Sequence, residues 1–477
     1  MGHILKQDFF GRKEYVKTLQ RLRKNRGSSV VVVYGRRRVG KTSLIQKAFE
    51  NDKIFNFEGL ENQETNKQII NFVTQLKFQA KKEVSVEHIK TWHEALYALI
   101  NVAKKEPCVI VLDEFQWMAN YRSELVSVLK MMWDQHLSKL NNVTLVLCGS
   151  IASFMVKKVI HSSAFYGRIE TEIHLQPFQL HETAKMLESK GFDEILEAQI
   201  LLGGIPLYLK LARNFPSIRM AVNELAFSSE GYFFNEFSKI FTSHFGKNSN
   251  YRMILDLLAK NPKGVLRKNI SQQLKTTTGG TLTGVLYNLE QAGFIRTLKP
   301  FDKKMNSRHV KYVLSDPYIH FYLQFIKPHE KQIKTGIKNI GLNIFQGSKY
   351  QSWCGYGFEN LCWEHAGIIS QLLGFSGIDF VVGPYFKPSN SGQKGCQIDL
   401  LFDRADKVIT LCEMKYRLTP IGKDVIAEVE KKAQLLENIT NKTIQKVLVT
   451  KSEPTKELIA SGYFYKIIMA KDLIKEL

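Results

Sequence analysis

Several groups of residues have the types and the spacing to do chemistry. Gly35, Gly40, Lys41 and Thr42 stand as Gly-x4-Gly-Lys-Thr, with Arg38 inside the turn and Ser43 after it. Glycines at this spacing let successive backbone N–H groups face phosphate oxygens. Lys41 would then reach the β- and γ-phosphates of a nucleotide, and the Thr42 hydroxyl would ligate Mg²⁺. Adjacent carboxylates, Asp113 and Glu114, close an apolar run. Asp113 is suited to hold Mg²⁺ and Glu114 to polarise an attacking water. Ser150, closing another apolar run, is the candidate to sense a γ-phosphate. Far along the chain Asp399 is followed by Glu413 and Lys415 as Asp-x13-Glu-x-Lys. Two carboxylates would hold a divalent metal there, and the lysine would activate water or stabilise the charge of a phosphoryl transition state.

Chemistry of this kind needs rigid elements behind it. Ser29–Tyr34, Cys108–Leu112 and Val143–Cys148 are continuous β-branched or apolar runs, the signature of parallel strands buried on both faces. The glycine-rich turn lies between the first of these and the helical pattern 43–49, so it joins a strand to a helix N-terminus, where the helix dipole favours phosphate. Residues 396–402 and 410–415 read as a β-hairpin about the turn 403–407. Period-two alternation puts Glu413 and Lys415 on one face of it.

The chain has 477 residues and a formal net charge of +22. That excess suggests a polyanionic partner. It is unevenly distributed: residues 241–340 carry 17 basic and 5 acidic side chains, whereas 341–477 carry 17 and 15. Within the basic segment, helical patterns at 251–258, 270–274 and 281–293 precede two strand-like runs, 294–298 and 309–314. This order predicts a winged helix-turn-helix. Its basic residues lie outside the third helix, so Lys263, Arg267, Lys268, Lys303, Lys304 and Arg308 are the candidates for contact with DNA phosphates, in backbone-dominated binding. No apolar run approaches the ~18 residues of a membrane helix, and no signal peptide opens the chain. The six cysteines form no CxxC pair, as expected of reduced cysteines in a cytoplasmic protein.

The first half resembles the archaeal-type ATPases, a branch of the AAA+-related signal-transduction ATPases with numerous domains. The match rests on Phe10-Gly11-Arg12-Lys13-Glu14, the glycine-rich loop, Leu112–Gln116, Leu147–Ser150, and Gly203-Gly204-Ile205-Pro206-Leu207-Tyr208-Leu209. The resemblance implies that Gly204 and Pro206 form a lid turn against the nucleotide. It also implies that Arg168 completes an active site, in cis or from a neighbouring subunit. The hairpin resembles the PD-(D/E)xK restriction-endonuclease-like nucleases, although Ile398 stands where the family name has proline. That resemblance adds Glu359 as a third metal contact and Gln434 as a further site position.

The expected fold is α/β and multidomain. A P-loop NTPase parallel sheet with a helical lid spans 1–240, the lid about 176–240. A winged helix-turn-helix spans 241–328, and an α/β restriction-endonuclease-like domain 329–477. The expected function couples the state of bound ATP and Mg²⁺ to DNA binding and metal-dependent DNA cleavage. The alternatives are a DNA-binding ATP switch or scaffold without cleavage, and a winged helix that docks a protein partner. A homo-oligomer is compatible with this reading; a membrane is not part of it.

Overall fold

The computed structural model describes residues 9–24, 27–80, 88–120, 123–246, 248–274, 279–301, 309–387 and 396–474. The chain divides into two compact units, Met1–Pro177 and Phe178–Leu477.

The first unit is built on a five-stranded parallel sheet: β1 (Ser29–Tyr34), β2 (Lys53–Glu58), β3 (Cys108–Asp113), β4 (Val143–Gly149) and β5 (Ile169–His174). Their order across the sheet is β2-β3-β4-β1-β5. Val30, Val31, Val32 and Val33 are all fully buried, so β1 is covered on both faces, and this is why its sequence is apolar without alternation. One face packs on the helices Thr65–Gln79 and Trp92–Ala103. Phe57 of β2 stacks on Phe72 at 4.1 Å, and Phe72 meets Trp92 edge-on at 5.6 Å. The second of these helices starts at a capping box formed by Thr91 and Glu94.

Because the sheet is parallel, β1, β3 and β4 all end at the same edge, where ligands bind in open α/β sheets. The turn after β1 is anchored there by Leu175, whose N–H donates to the Tyr34 carbonyl at 2.7 Å. Gly35 has φ +147°, and a Cβ on it would stand 2.4 Å from the Leu175 carbonyl oxygen. Only glycine fits. Gly35→Ala should therefore cost about 1–3 kcal/mol of stability, read as a lower urea midpoint for this unit. An unchanged midpoint would show that the turn has room to relax.

The second unit opens with helices and then forms two further sheets. Helices Ser249–Ala259, Arg267–Leu274 and Gly279–Gln291 accompany a small antiparallel sheet of order β6-β8-β7, where β6 is Val265–Leu266, β7 Ile295–Leu298 and β8 Lys311–Leu314. The larger sheet has order β13-β12-β11-β10-β9: Phe380–Lys387 (β9), Cys396–Arg404 (β10), Val408–Lys415 (β11), Thr443–Thr450 (β12) and Lys466–Met469 (β13). It is mixed, with β9, β10 and β11 antiparallel and β11, β12 and β13 parallel. The helix Asp424–Glu437 buries Val425, Val429, Ala433 and Leu436, at i, i+4, i+8 and i+11, in one core with Ile398, Ile409, Leu411 and Leu448 of the sheet. All six cysteines are free. Among the described residues no helix is long and apolar enough to cross a membrane.

Candidate functional site

The loop after β1 curls on itself. Arg38 (φ +72°) and Gly40 (φ +90°) are both left-handed, and Gly40 caps the helix Lys41–Ala48. Lys41 is buried, and its ammonium donates to the carbonyls of Gly35 at 3.0 Å and Arg36 at 3.1 Å. It thus sits inside the concavity of its own loop. Thr42 follows, and its hydroxyl donates to Asp113 Oδ2 at 2.8 Å, although β1 and β3 are not neighbours. Ser43 is half-buried on the first turn of the same helix.

Beyond Asp113 the chain turns sharply. Glu114 takes φ +50°, and its N–H donates back to Asp113 Oδ1 at 2.9 Å. Its carboxylate accepts the Ser150 hydroxyl at 2.6 Å and the side-chain amide of Gln116. Gln116 closes the triangle, since its Oε1 accepts the Ser150 N–H at 3.2 Å. The structure therefore brings Thr42, Asp113, Glu114 and Ser150 together. Gln116, which closes the Leu112–Gln116 motif without a role of its own there, joins them, as does Glu58, which the sequence does not single out. Glu58 lies opposite Asp113 in the β2–β3 register, and burial together with the charges of Asp113 and Glu114 raises its carboxyl pKa. Its only sequence signal is its place at the end of the strand-like Lys53–Glu58.

A second charged cluster occupies the larger sheet of the second unit. Leu400–Cys412 is the last pair of the hairpin ladder, and Asp399 and Glu413 are the residues just beyond it on the two strands. Glu413 is buried and held by two lysines, Lys415 at 2.8 Å and Lys432 at 2.7 Å. Glu428 bridges the same lysines, at 2.8 Å to Lys415 and 3.0 Å to Lys432. Burial works against the charged form of Lys432, but Glu413 and Glu428 outweigh it and leave its pKa raised. Asp399 accepts from Gln397 Nε2 at 2.6 Å, while its carbonyl accepts the Trp363 indole N–H at 2.8 Å. Glu359, on the helix Ser348–Glu364, has its carboxyl pKa raised to about 8 by burial and by the charges of Asp399 and Glu413. Gln434 stands apart, exposed and within 3.4 Å of Glu430. Two residues are about 200° around a helix, so Lys432 rather than Gln434 reaches the cluster. Among the described residues no three His, Cys, Asp or Glu side chains converge closely enough to ligate a metal by themselves.

Residues 9–210 match the family of ATPase domains found predominantly in Archaea. An uncharacterized protein of Methanocaldococcus jannaschii is 24% identical over 414 residues, covering 86% of this chain and 88% of the relative. An uncharacterized ATP-binding protein of the same organism is 48% identical over 46 residues, 10% of this chain and 78% of that one. Among solved structures, the Walker-type ATPase of Pyrococcus abyssi shares the fold, with a TM-score of 0.50 and 21% identity over 67% of this chain and 97% of that one. The ATPase domain thus accounts for the loop, the carboxylates and the parallel sheet. Its match runs past Pro177 to Lys210 in the second unit.

The remaining candidates fall as follows. Arg168 of the ATPase domain makes a bidentate ion pair with Asp134, at 2.7 and 2.9 Å. That hydrogen bonding, assisted by Lys130, holds the Asp134 carboxyl down to about 2. Gly204 lies in the second unit, where its carbonyl accepts the Phe178 N–H at 2.7 Å, and Pro206 opens the helix Pro206–Arg213. Arg267 donates to the Thr283 hydroxyl at 2.7 Å, and Lys263 and Lys268 are exposed. Lys303, Lys304 and Arg308 lie outside the described residues.

The state of Glu359 gives a stability test. Its carboxyl binds a proton more tightly in the fold than in the unfolded chain, so folding takes up a proton, and stability falls as pH rises from the ordinary carboxylate range towards about 8. Glu359→Gln removes that dependence. In metal-free buffer its melting temperature should gain on the wild type between pH 5 and pH 9. A difference that stays constant with pH would contradict the assignment.

Proposed function

We propose that this protein hydrolyses ATP in its first unit and acts on DNA with its second. For the ATPase the observation that carries the reading is the 2.8 Å contact between Thr42 and Asp113 at the mouth of the Gly35–Thr42 loop. A hydroxyl and a carboxylate so placed fit Mg²⁺, which would take both as ligands, complete its shell with water and phosphate oxygens, and neutralise the phosphates. Lys41 already sits in the concavity and exchanges carbonyl partners for phosphate oxygens. Glu114 orients and polarises the attacking water. Ser150 and Gln116 hold that carboxylate and give the γ-phosphate a way to disturb it. Gly35, Arg38, Gly40 and Ser43 supply backbone and side-chain donors around the phosphates. Gly204 and Pro206 serve as a lid turn. Arg168 acts as an arginine finger only after leaving Asp134.

For the second unit we read 241–328 as a winged helix and 329–477 as a PD-(D/E)xK-type nuclease domain. Support comes from the mixed sheet, the place of Asp399 and Glu413 just past the Leu400–Cys412 pair, and the 2.8 Å approach of Lys415 to Glu413. Asp399, Glu413 and Glu359 do not converge as they stand, so they would hold a divalent cation, which would supply activation of water, only after Glu413 is freed from its lysines and the three draw together. Lys415 offsets charge on the scissile phosphate. One observation favours the second reading, a DNA-binding ATP switch without cleavage: both Glu413 oxygens are taken by lysines.

For the first unit, Lys41→Ala should lose binding of a fluorescent ATP analogue. Glu114→Gln should keep that binding and turn over about 10²–10⁴-fold more slowly. Turnover at the wild-type rate by Glu114→Gln would remove the water-activating role. For the second unit, linear, nicked, supercoiled, branched and single-stranded DNA are incubated with and without ATP and Mg²⁺. Cleavage lost in Asp399→Ala and Glu413→Ala, with DNA binding retained, supports the nuclease. Wild-type binding with no cleavage of any form selects the switch.

A further inference from the structure

The nuclease reading leaves a gap. A nuclease must draw a phosphate backbone towards its carboxylates, yet residues 341–477 carry almost as many acidic as basic side chains. The cations nearest Glu413 are committed, since Lys415 and Lys432 are both shared between Glu413 and Glu428. Positive charge for the substrate has to come from elsewhere.

The small sheet supplies it. Lys311 of β8 lays its ammonium 3.9 Å above the ring of Phe386 in β9. Phe386 pairs with Gln397, whose amide holds Asp399. Lys311 also donates to the Lys263 carbonyl at 3.4 Å, which ties together the two basic residues on this edge. The contact between the sheets is specific. Arg296 of β7 donates to Asn360 at 2.8 Å and stacks 4.8 Å over Trp363, the residue whose indole N–H holds the Asp399 carbonyl. Phe301 N–H donates to the Pro384 carbonyl at 3.1 Å. Charges reach across as well. Burial lowers the proton affinity of Lys311, and the charge of Asp399 offsets part of that; burial and the neighbouring carboxylates raise the proton affinity of Glu359, and Lys263 offsets part of that. Beside Lys311 opens a cleft of about 480 Å³ lined by Asn261, Asn269, Gln272 and Gln273. Leu257, Val265, Leu266 and Lys311 itself also line it, and the lining holds no carboxylate to repel an anion.

We propose that Lys263 and Lys311, with the amide-lined cleft between their elements, seat the backbone phosphates of a DNA strand and present one phosphodiester to Asp399 and Glu359. This rests on the reading of the second unit as DNA-acting. It makes the substrate site composite: the small sheet supplies the cations and the large sheet the carboxylates. Each lysine contributes as a point charge to non-bridging oxygens, so binding is salt-dependent and indifferent to base sequence.

The test uses the full chain and labelled duplex, with fluorescence anisotropy followed over a salt series. Neutralising two phosphate contacts should reduce the slope of log K against log[salt] by about 1.8, at ~0.9 per phosphate. The expected result is that loss in the Lys263→Gln/Lys311→Gln double variant, with ATP binding unchanged. Lys263→Arg/Lys311→Arg should restore the slope. The charge-matched control Lys67→Gln/Lys77→Gln, in the first unit, should leave it alone. A double variant whose slope matches the control overturns the seat. So does faster cleavage by the double variant, because the lysines would then be a cover over the carboxylates. Wild type that binds DNA but never cuts it removes the nuclease reading, yet the seat still stands or falls by the slope. Wild type that binds no DNA at 50 mM salt overturns both.

Discussion

Thr42, on the first turn of the helix after β1, and Asp113, at the end of β3, are carried by strands that never touch. β4 lies between β1 and β3, so the two strand ends are about 10 Å apart at ~4.8 Å per strand. Their side chains nevertheless meet at 2.8 Å. β4, between them, ends in Gly149, where a Cβ would stand 2.5 Å from the Met155 sulfur and 2.8 Å from Gln116 Oε1. Ser150 follows, and its hydroxyl reaches Glu114. The site thus depends on contacts among the ends of three strands: Thr42 to Asp113, Ser150 to Glu114, and Gln116 bridging the turn after β3 to the end of β4.

The two carboxylate clusters solve the same problem in different ways. Near the phosphate loop the carboxylates are held by neutral donors, the Thr42 and Ser150 hydroxyls and the Gln116 amide. Exchanging a hydroxyl partner for a cation demands little rearrangement. In the second unit a buried carboxylate, Glu413, is clamped between ammonium groups. Breaking a buried pair on one side leaves an uncompensated charge, at a cost of about 3–5 kcal/mol. Displacing either lysine from that cluster therefore demands a charged replacement.

The sequence made legible whatever depends on neighbours along the chain. β1, β3 and β4 are apolar throughout because both faces are buried, and the glycine-rich turn sits where strand gives way to helix. The β10–β11 hairpin is readable from two apolar runs about a short polar turn. Contacts between distant segments left no local mark. Arg168 looks like any arginine before a strand until Asp134, 34 residues earlier, captures it. Lys432 reads as one of several charges on an amphipathic helix, and only the rotation of that helix, set by Val425, Val429 and Ala433, turns it rather than Gln434 towards Glu413. Nor does anything at Pro177 announce a boundary, since the ATPase match continues across it.

The charge count shows the same limit in its most useful form. An excess of basic residues in 241–340 reads as an outward-facing patch, because lysines are ordinarily solvated. Several of these cations are instead engaged within the second unit. Lys327 is paired with Asp256, Arg267 with Thr283, and Arg296 with Asn360 and Trp363. Lys311 is the telling case. It belongs to β8, the central strand of its sheet, where both flanking strands fix the backbone. A lysine on a central strand, half-buried with its ammonium above Phe386, has lost most of the freedom that makes surface lysines interchangeable. Burial there works against its charged form, and the charge of Asp399 offsets part of that effect.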